Sequence, residues 1–95
     1  MRYIWDREKN LRNWEVHGID FRLAVLIFDG PTLEVEDDRD EYGEIRNVAY
    51  GQLQGRIIAV VYTDREDDER RIISARKAEA YEARAYYEAI FGKGS

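Results

Sequence analysis

Four arginines, Arg46, Arg65, Arg71 and Arg76, fall in or beside segments that read as strands of one sheet. An arginine held against a covered sheet must find an anion, either a carboxylate or a phosphate, because an unpaired buried charge is costly. Taken singly, each has a carboxylate within reach in sequence, such as Glu44 for Arg46 or Asp67 for Arg65. Four around one sheet shift the balance toward an anion site. His17, the single imidazole, reads either as a general base or as a helix C-terminal residue that suits the helix dipole. Tyr86 and Tyr87 cannot both face a core from one helix, so one hydroxyl is left to stack on a base or donate a proton.

Other chemistries are poorly supplied. One histidine and no cysteine argue against a zinc site and exclude a disulfide framework. No phosphate-binding glycine loop, paired-histidine metalloprotease motif or calcium loop occurs. The acidic run Glu36-Asp37-Asp38-Arg39-Asp40-Glu41 lacks the ligand spacing of a known cation loop and reads as a solvated turn. No metal or cofactor is expected.

The elements that must position these groups fit one small domain over residues 1–95, with 92–95 as a tail. Hydrophobic residues make up 44%, enough for a core, and no apolar run is long enough to span a bilayer. No leader is visible, and a cytoplasmic protein is expected. The net charge of -5 hides a division: residues 1–28 sum to +1, residues 29–69 to -9 and residues 70–95 to +3. An acidic total argues against broad DNA binding but allows a local basic cleft.

Tyr3-Ile4-Trp5 is a short strand or an extended lead-in. Asp6 caps a helix that runs to about His17 and stops at Gly18, with Leu11 and Trp14 on one face. A second helix runs from Asp20 to about Phe28, burying Phe21, Ala24, Val25 and Phe28, until Asp29-Gly30-Pro31 breaks it. Four strands follow: Thr32–Glu36, Ile45–Gly51, Arg56–Thr63 and Arg70–Arg76. The third is apolar and β-branched enough to be central. Strict alternation in the fourth puts Ser74 and Arg76 on one face and Arg71 on the other. A last helix, Glu79–Phe91, buries Ala83, Ile90 and one of Tyr86 and Tyr87. The expected fold is α+β: two N-terminal helices, a four-stranded, mainly antiparallel meander and a C-terminal helix.

Read in order, Trp5-Asp6, Lys9, Asn13 and His17-Gly18, then Phe28-Asp29-Gly30-Pro31, then Gly43-Glu44-Ile45-Arg46 form a series. It continues through Val60-Val61-Tyr62-Thr63-Asp64-Arg65 and Arg71-Ile72-Ile73-Ser74-Ala75-Arg76-Lys77-Ala78 to Glu82, Arg84 and Tyr86. Over about residues 3 to 87 this resembles BrnT-type toxins. The chain departs from that pattern at Glu15-Val16, where a basic residue is usual, and at Gly30, where a second acidic residue is usual.

The resemblance implies a RelE-like fold and a toxin of a type II toxin–antitoxin pair that cleaves RNA and halts translation. It also implies a BrnA-like antitoxin that holds the toxin inactive as a hetero-oligomer and carries the DNA-binding part, so no direct DNA binding or membrane association is expected here. Metal-independent RNA cleavage needs a base for the 2′-hydroxyl, cationic stabilisation of the phosphate and a proton for the leaving oxygen. By that logic Arg46, Arg65 and Arg76 bind phosphate, Glu44 is base or arginine orienter, and Tyr86 is acid or stacking group. Lys9, His17, Arg71 and Lys77 form a second tier of RNA contacts. The alternative is a non-catalytic module that grips a partner and assists repression.

Overall fold

The computed structural model describes residues 1–37, 44–66 and 68–92. The Asp6 carboxylate accepts hydrogen bonds from the Glu8 and Lys9 backbone N–H groups at 2.8 and 3.2 Å. It thereby satisfies donors that the start of helix α1 (Arg7–His17) leaves open. Gly18 ends that helix at φ +70°, a left-handed conformation that side chains resist. Both ends stand where the sequence puts them.

The second helix differs from expectation. Helix α2 covers only Phe21–Ala24, and the chain then tightens into a 3-10 turn over Val25–Asp29. A 3-10 turn repeats every three residues. Phe21, Ala24 and Ile27 therefore point inward and are fully buried, while Val25 and Phe28 are only partly so.

The sheet has five strands, not four. They are β1 (Arg2–Ile4), β2 (Leu33–Asp37), β3 (Arg46–Leu53), β4 (Arg56–Arg65) and β5 (Glu69–Lys77), in the spatial order β1-β5-β4-β3-β2. The last four form the expected antiparallel meander. The added strand lies parallel to β5, with Tyr3 opposite Arg70. Beyond Asp37 the acidic turn lies outside the described residues, as do Asp67 and the tail at 93–95.

Ile58, Val60 and Tyr62 of β4, with Ala49, Ile72 and Ala75, meet Phe21, Ala24 and Ile27 in one core. Gly51 on β3 makes this approach possible, since a Cβ there would lie 2.7 Å from the Ile27 Cβ. Helix α1 lies against β5, past the short β1. Its buried residue is Asn13, whose amide accepts from Ala75 N–H at 3.0 Å and donates to the Ala75 and Ile19 carbonyls at 2.9 Å. One side chain thus supplies the ladder partners that β5 lacks at Ala75. Leu11 and Trp14 are 60% and 55% exposed.

Helix α3 (Ala80–Phe91) lies on the opposite face of the sheet. Its Glu82 accepts from Tyr50, which sits across β3 and β4 from Ala59 rather than from the core residue Val60. A reciprocal box between Glu79 and Glu82 starts this helix. Tyr86 turns inward and Tyr87 outward.

Candidate active site

Among the described residues, the face of the sheet that carries α3 is covered only toward one end, and the ladder fixes which side chains share it. Cross-strand partners lie on the same side of a sheet. Three rows result. Asp37 is opposite Arg46, Arg46 adjoins Thr63, and Thr63 is opposite Arg71. Val35, Val48, Val61 and Ser74 form the middle row. Leu33, Tyr50, Ala59 and Arg76 form the third, where α3 lies.

A bulge makes this grouping. Between Val61 and Tyr62 the register slips, so that Val61 faces Ser74 and Tyr62 faces Ile72, leaving Ile73 as an extra residue in β5. Strict alternation puts Arg71 and Arg76 on opposite faces. The extra residue reverses that, and Arg71, Ser74 and Arg76 all stand on the open face. With neighbouring strands about 4.8 Å apart and about 3.3 Å per residue along them, Arg46 lies roughly 10 Å from Arg71 by backbone spacing. By the same spacing Arg71 and Arg76 are roughly 13 Å apart.

The arginines are held differently. Arg76 makes a two-pronged contact with Glu82, Nη1 and Nη2 donating to Oε1 and Oε2 at 2.8 and 2.9 Å. Tyr50 donates its hydroxyl to the same carboxylate at 2.8 Å, and the Glu79 N–H adds a fourth bond. The Arg76 guanidinium, helped by these donors, holds the Glu82 carboxyl down at about 2. Burial, then the Glu82 charge, pushes the Tyr50 phenol up to about 12, so Tyr50 keeps its proton and is no base. Arg46 is mostly buried, with Nη2 3.6 Å from a Glu44 carboxylate oxygen. Beneath it, the Thr63 hydroxyl donates to the Ile45 carbonyl at 2.7 Å and is closed to a ligand.

Arg71 is the exception. It is partly buried at the open end of the face and makes no hydrogen bond or ion pair among the described residues. A guanidinium so placed has donors to offer an anion from outside. Arg65 stands one row further along, exposed and opposite Glu69, whose carboxylate is paired with Arg2.

Other expected residues stand elsewhere. Tyr86 is 1% exposed and donates its hydroxyl to the Pro31 carbonyl at 3.1 Å. Its reading as acid or stacking group is therefore corrected: the ring anchors α3 to the chain ahead of β2. Lys9 and His17 are on α1, lining a groove with Arg12, Val16 and Ile73 beside β5. Lys77 faces the helix side of the sheet, next to Ile58. None of these three joins the open face.

Two participants escaped the sequence reading. Glu82 organises Arg76 and Tyr50, and its signal was its place three residues after the helix cap Glu79. Arg70, where the fourth expected strand begins, lies against the 3-10 turn, 4.7 and 4.1 Å from the Phe28 and Tyr62 rings and paired with Asp64 at 2.7 Å. Among the described residues no three acidic or imidazole side chains gather where they could hold a metal, and no helix is long and apolar enough to cross a membrane.

A comparison of the sequence with curated proteins finds no match. Among solved structures, the ribonuclease toxin BrnT of Brucella abortus is similar, with 27% identity and a TM-score of 0.63. The match covers 83% of this chain and 97% of that one. A family model described as the ribonuclease toxin BrnT of type II toxin–antitoxin systems matches residues 5–82. The family match takes in strands β2 to β5, which carry Arg46, Arg65, Arg71 and Arg76, and it covers most of the sequence: the chain belongs to the BrnT family of ribonuclease toxins.

Proposed function

We propose that the chain cleaves single RNA strands on the open sheet face without a metal ion, and that a cognate BrnA-like antitoxin restrains it. The observation that carries this reading is the partly buried Arg71, with no partner among the described residues, on a face shared with Arg46 and Arg76. Arg71 and Arg46 bind the phosphate at the cleaved bond and stabilise the charge that builds on it, as fixed guanidinium donors do in a partly dehydrated site. Arg65 and Arg76 take neighbouring phosphates, Arg76 from a position fixed by Glu82. Arg71 thereby moves ahead of the residues the sequence ranks first.

Glu44 accepts the proton of the 2′-hydroxyl, and Arg46, 3.6 Å away, orients its carboxylate beside the phosphate it serves. The 2′-oxygen bonds to phosphorus as the bond to the 5′-oxygen breaks. The products are a cyclic phosphate and a 5′-hydroxyl whose proton comes from solvent. The guanidinium groups supply the cationic stabilisation that a metal provides in other nucleases. Lys9, His17 and Lys77 contact RNA only beyond this face.

The test is cleavage of labelled bulk RNA by purified, antitoxin-free protein in EDTA. Cyclic phosphate ends are the expected products. Intact RNA, with cleavage restored by magnesium, would overturn the metal-free step. Intact RNA under all conditions would favour a non-catalytic partner-binding module.

A further inference from the structure

The helix side of the sheet holds a second feature that the open face does not use. Where the β3–β4 turn meets the end of β5, a cavity of about 370 Å³ opens between the strands and the end of α1. Leu23, Leu53 and Ile58 form its apolar lining, and His17, Arg56 and Lys77 stand around it. All three basic side chains are exposed, and none makes a hydrogen bond or ion pair among the described residues.

The one carboxylate in the lining is already engaged. Asp20 accepts from the Arg22 guanidinium at 2.8 Å, from the Arg22 N–H at 2.9 Å and from the Asn10 amide at 3.1 Å. The cavity therefore presents Arg56, Lys77 and an imidazole beside apolar surface, and among the described residues no unengaged carboxylate lines it. Its size falls at the lower end of small-ligand sites. An apolar lining with basic groups among it suits a flat, partly apolar ring that carries an anionic group.

We propose that this cavity binds a nucleotide, with its phosphate at Arg56 and Lys77 and its base against Leu23 and Leu53. The proposal rests on the ribonuclease reading for its most direct source of nucleotide, the substrate strand itself. Arg76 and Lys77 are consecutive in β5 and face opposite sides of the sheet. A strand leaving the open face at Arg76 reaches the cavity by passing round that end of the sheet. A free nucleotide has the same chemistry and is the other source.

The experiment titrates adenosine 5′-monophosphate, adenosine and inorganic phosphate into the full-length labelled protein, following the methyl resonances of Leu23, Leu53 and Ile58. The nucleotide is expected to shift these signals with at least tenfold higher affinity than adenosine. Arg56→Gln and Lys77→Gln are each expected to weaken it about tenfold, as loss of a charge-assisted contact does. Both side chains are exposed, so the variants fold. Equal affinity for nucleotide and adenosine, no shift of these three methyl signals, or no effect of either substitution would overturn the site.

A DNA hexanucleotide, which lacks the 2′-hydroxyl and resists cleavage, tells the sources apart. Its displacement of the mononucleotide identifies the substrate strand, and its failure to do so identifies a free nucleotide. RNA cleavage is run on the same preparation. Cleavage without a response at Leu23 and Leu53 overturns the cavity alone. A response without cleavage leaves the cavity and overturns the ribonuclease reading.

Discussion

Replacing Glu82 by Gln tests how Arg76 is held. The substitution keeps the side chain's size and one acceptor oxygen but removes the charge that Arg76, Tyr50 and the Glu79 N–H converge on. A carboxyl lowered from 4.5 to about 2 corresponds to about 3 kcal/mol of preference for the folded, ionised state. Solvent reaches the Arg76 side chain, which is 37% exposed, and screens the pair, so about half of that is expected. The folded value lies below the unfolded one. The stabilisation is therefore fully present above about pH 5 and is lost as pH falls toward 2. At pH 7 the variant should be less stable by about 1.5 kcal/mol, or about 6–12 °C in Tm for a domain of this size. Urea melts at pH 7, 5, 4 and 3 measure this directly, and the gap between the two proteins should narrow steadily below pH 5. A gap that stays constant down to pH 3 would refute the argument, because an uncharged loss of packing has no such dependence.

Three further substitutions probe what surrounds the site. Asn13→Ala leaves the Ala75 N–H and carbonyl buried without their partner, and should cost about 2–3 kcal/mol in denaturant melts; a cost under 0.5 kcal/mol would show that β5 does not depend on this bond. Gly51→Ala drives a Cβ to 2.7 Å from Ile27 and should destabilise by about 1–3 kcal/mol, with Gly51→Ala plus Ile27→Val recovering part of the loss. Tyr86→Phe removes one hydrogen bond to the Pro31 carbonyl and should cost about 1 kcal/mol of stability. Its rate of RNA cleavage should stay within twofold of wild type, and a hundredfold fall would restore Tyr86 to the chemistry.

Much of the fold was legible because its signals are local. Asp6 and Gly18 bound α1, and the run around Ile57 to Val61 marks the central strand. What escaped depends on distant contacts. Strand β1 has three residues, too few to show alternation, and its partner lies 67 positions away. The shift from Phe28 to Ile27 follows from a 3-10 turn that packs closely over Gly51, a tertiary contact absent from the local pattern. Asn13 belongs to the BrnT-type series, but helix periodicity does not set it apart from a surface polar residue, yet it is buried while Leu11 and Trp14 face outward. The candidate site was half legible. Arginine types and strand ends are visible, but no glycine announces the bulge at Ile73, and that one residue decides whether Arg71 faces the helices or the open face. Helix phase around Tyr86 and Tyr87 allowed one ring inward, and only the packing on Pro31 selects which.

The most direct measurement is the rate of RNA cleavage by Arg71→Gln beside wild type, with Arg84→Gln on exposed α3 as a charge-matched control. Circular dichroism and melting confirm that all three proteins are folded. With Arg71 on the scissile phosphate, its loss should lower the rate by about 10²-fold or more while the control stays near wild type. Equal rates for the two variants, each within threefold of wild type, would contradict a reaction centred on the open face of the sheet.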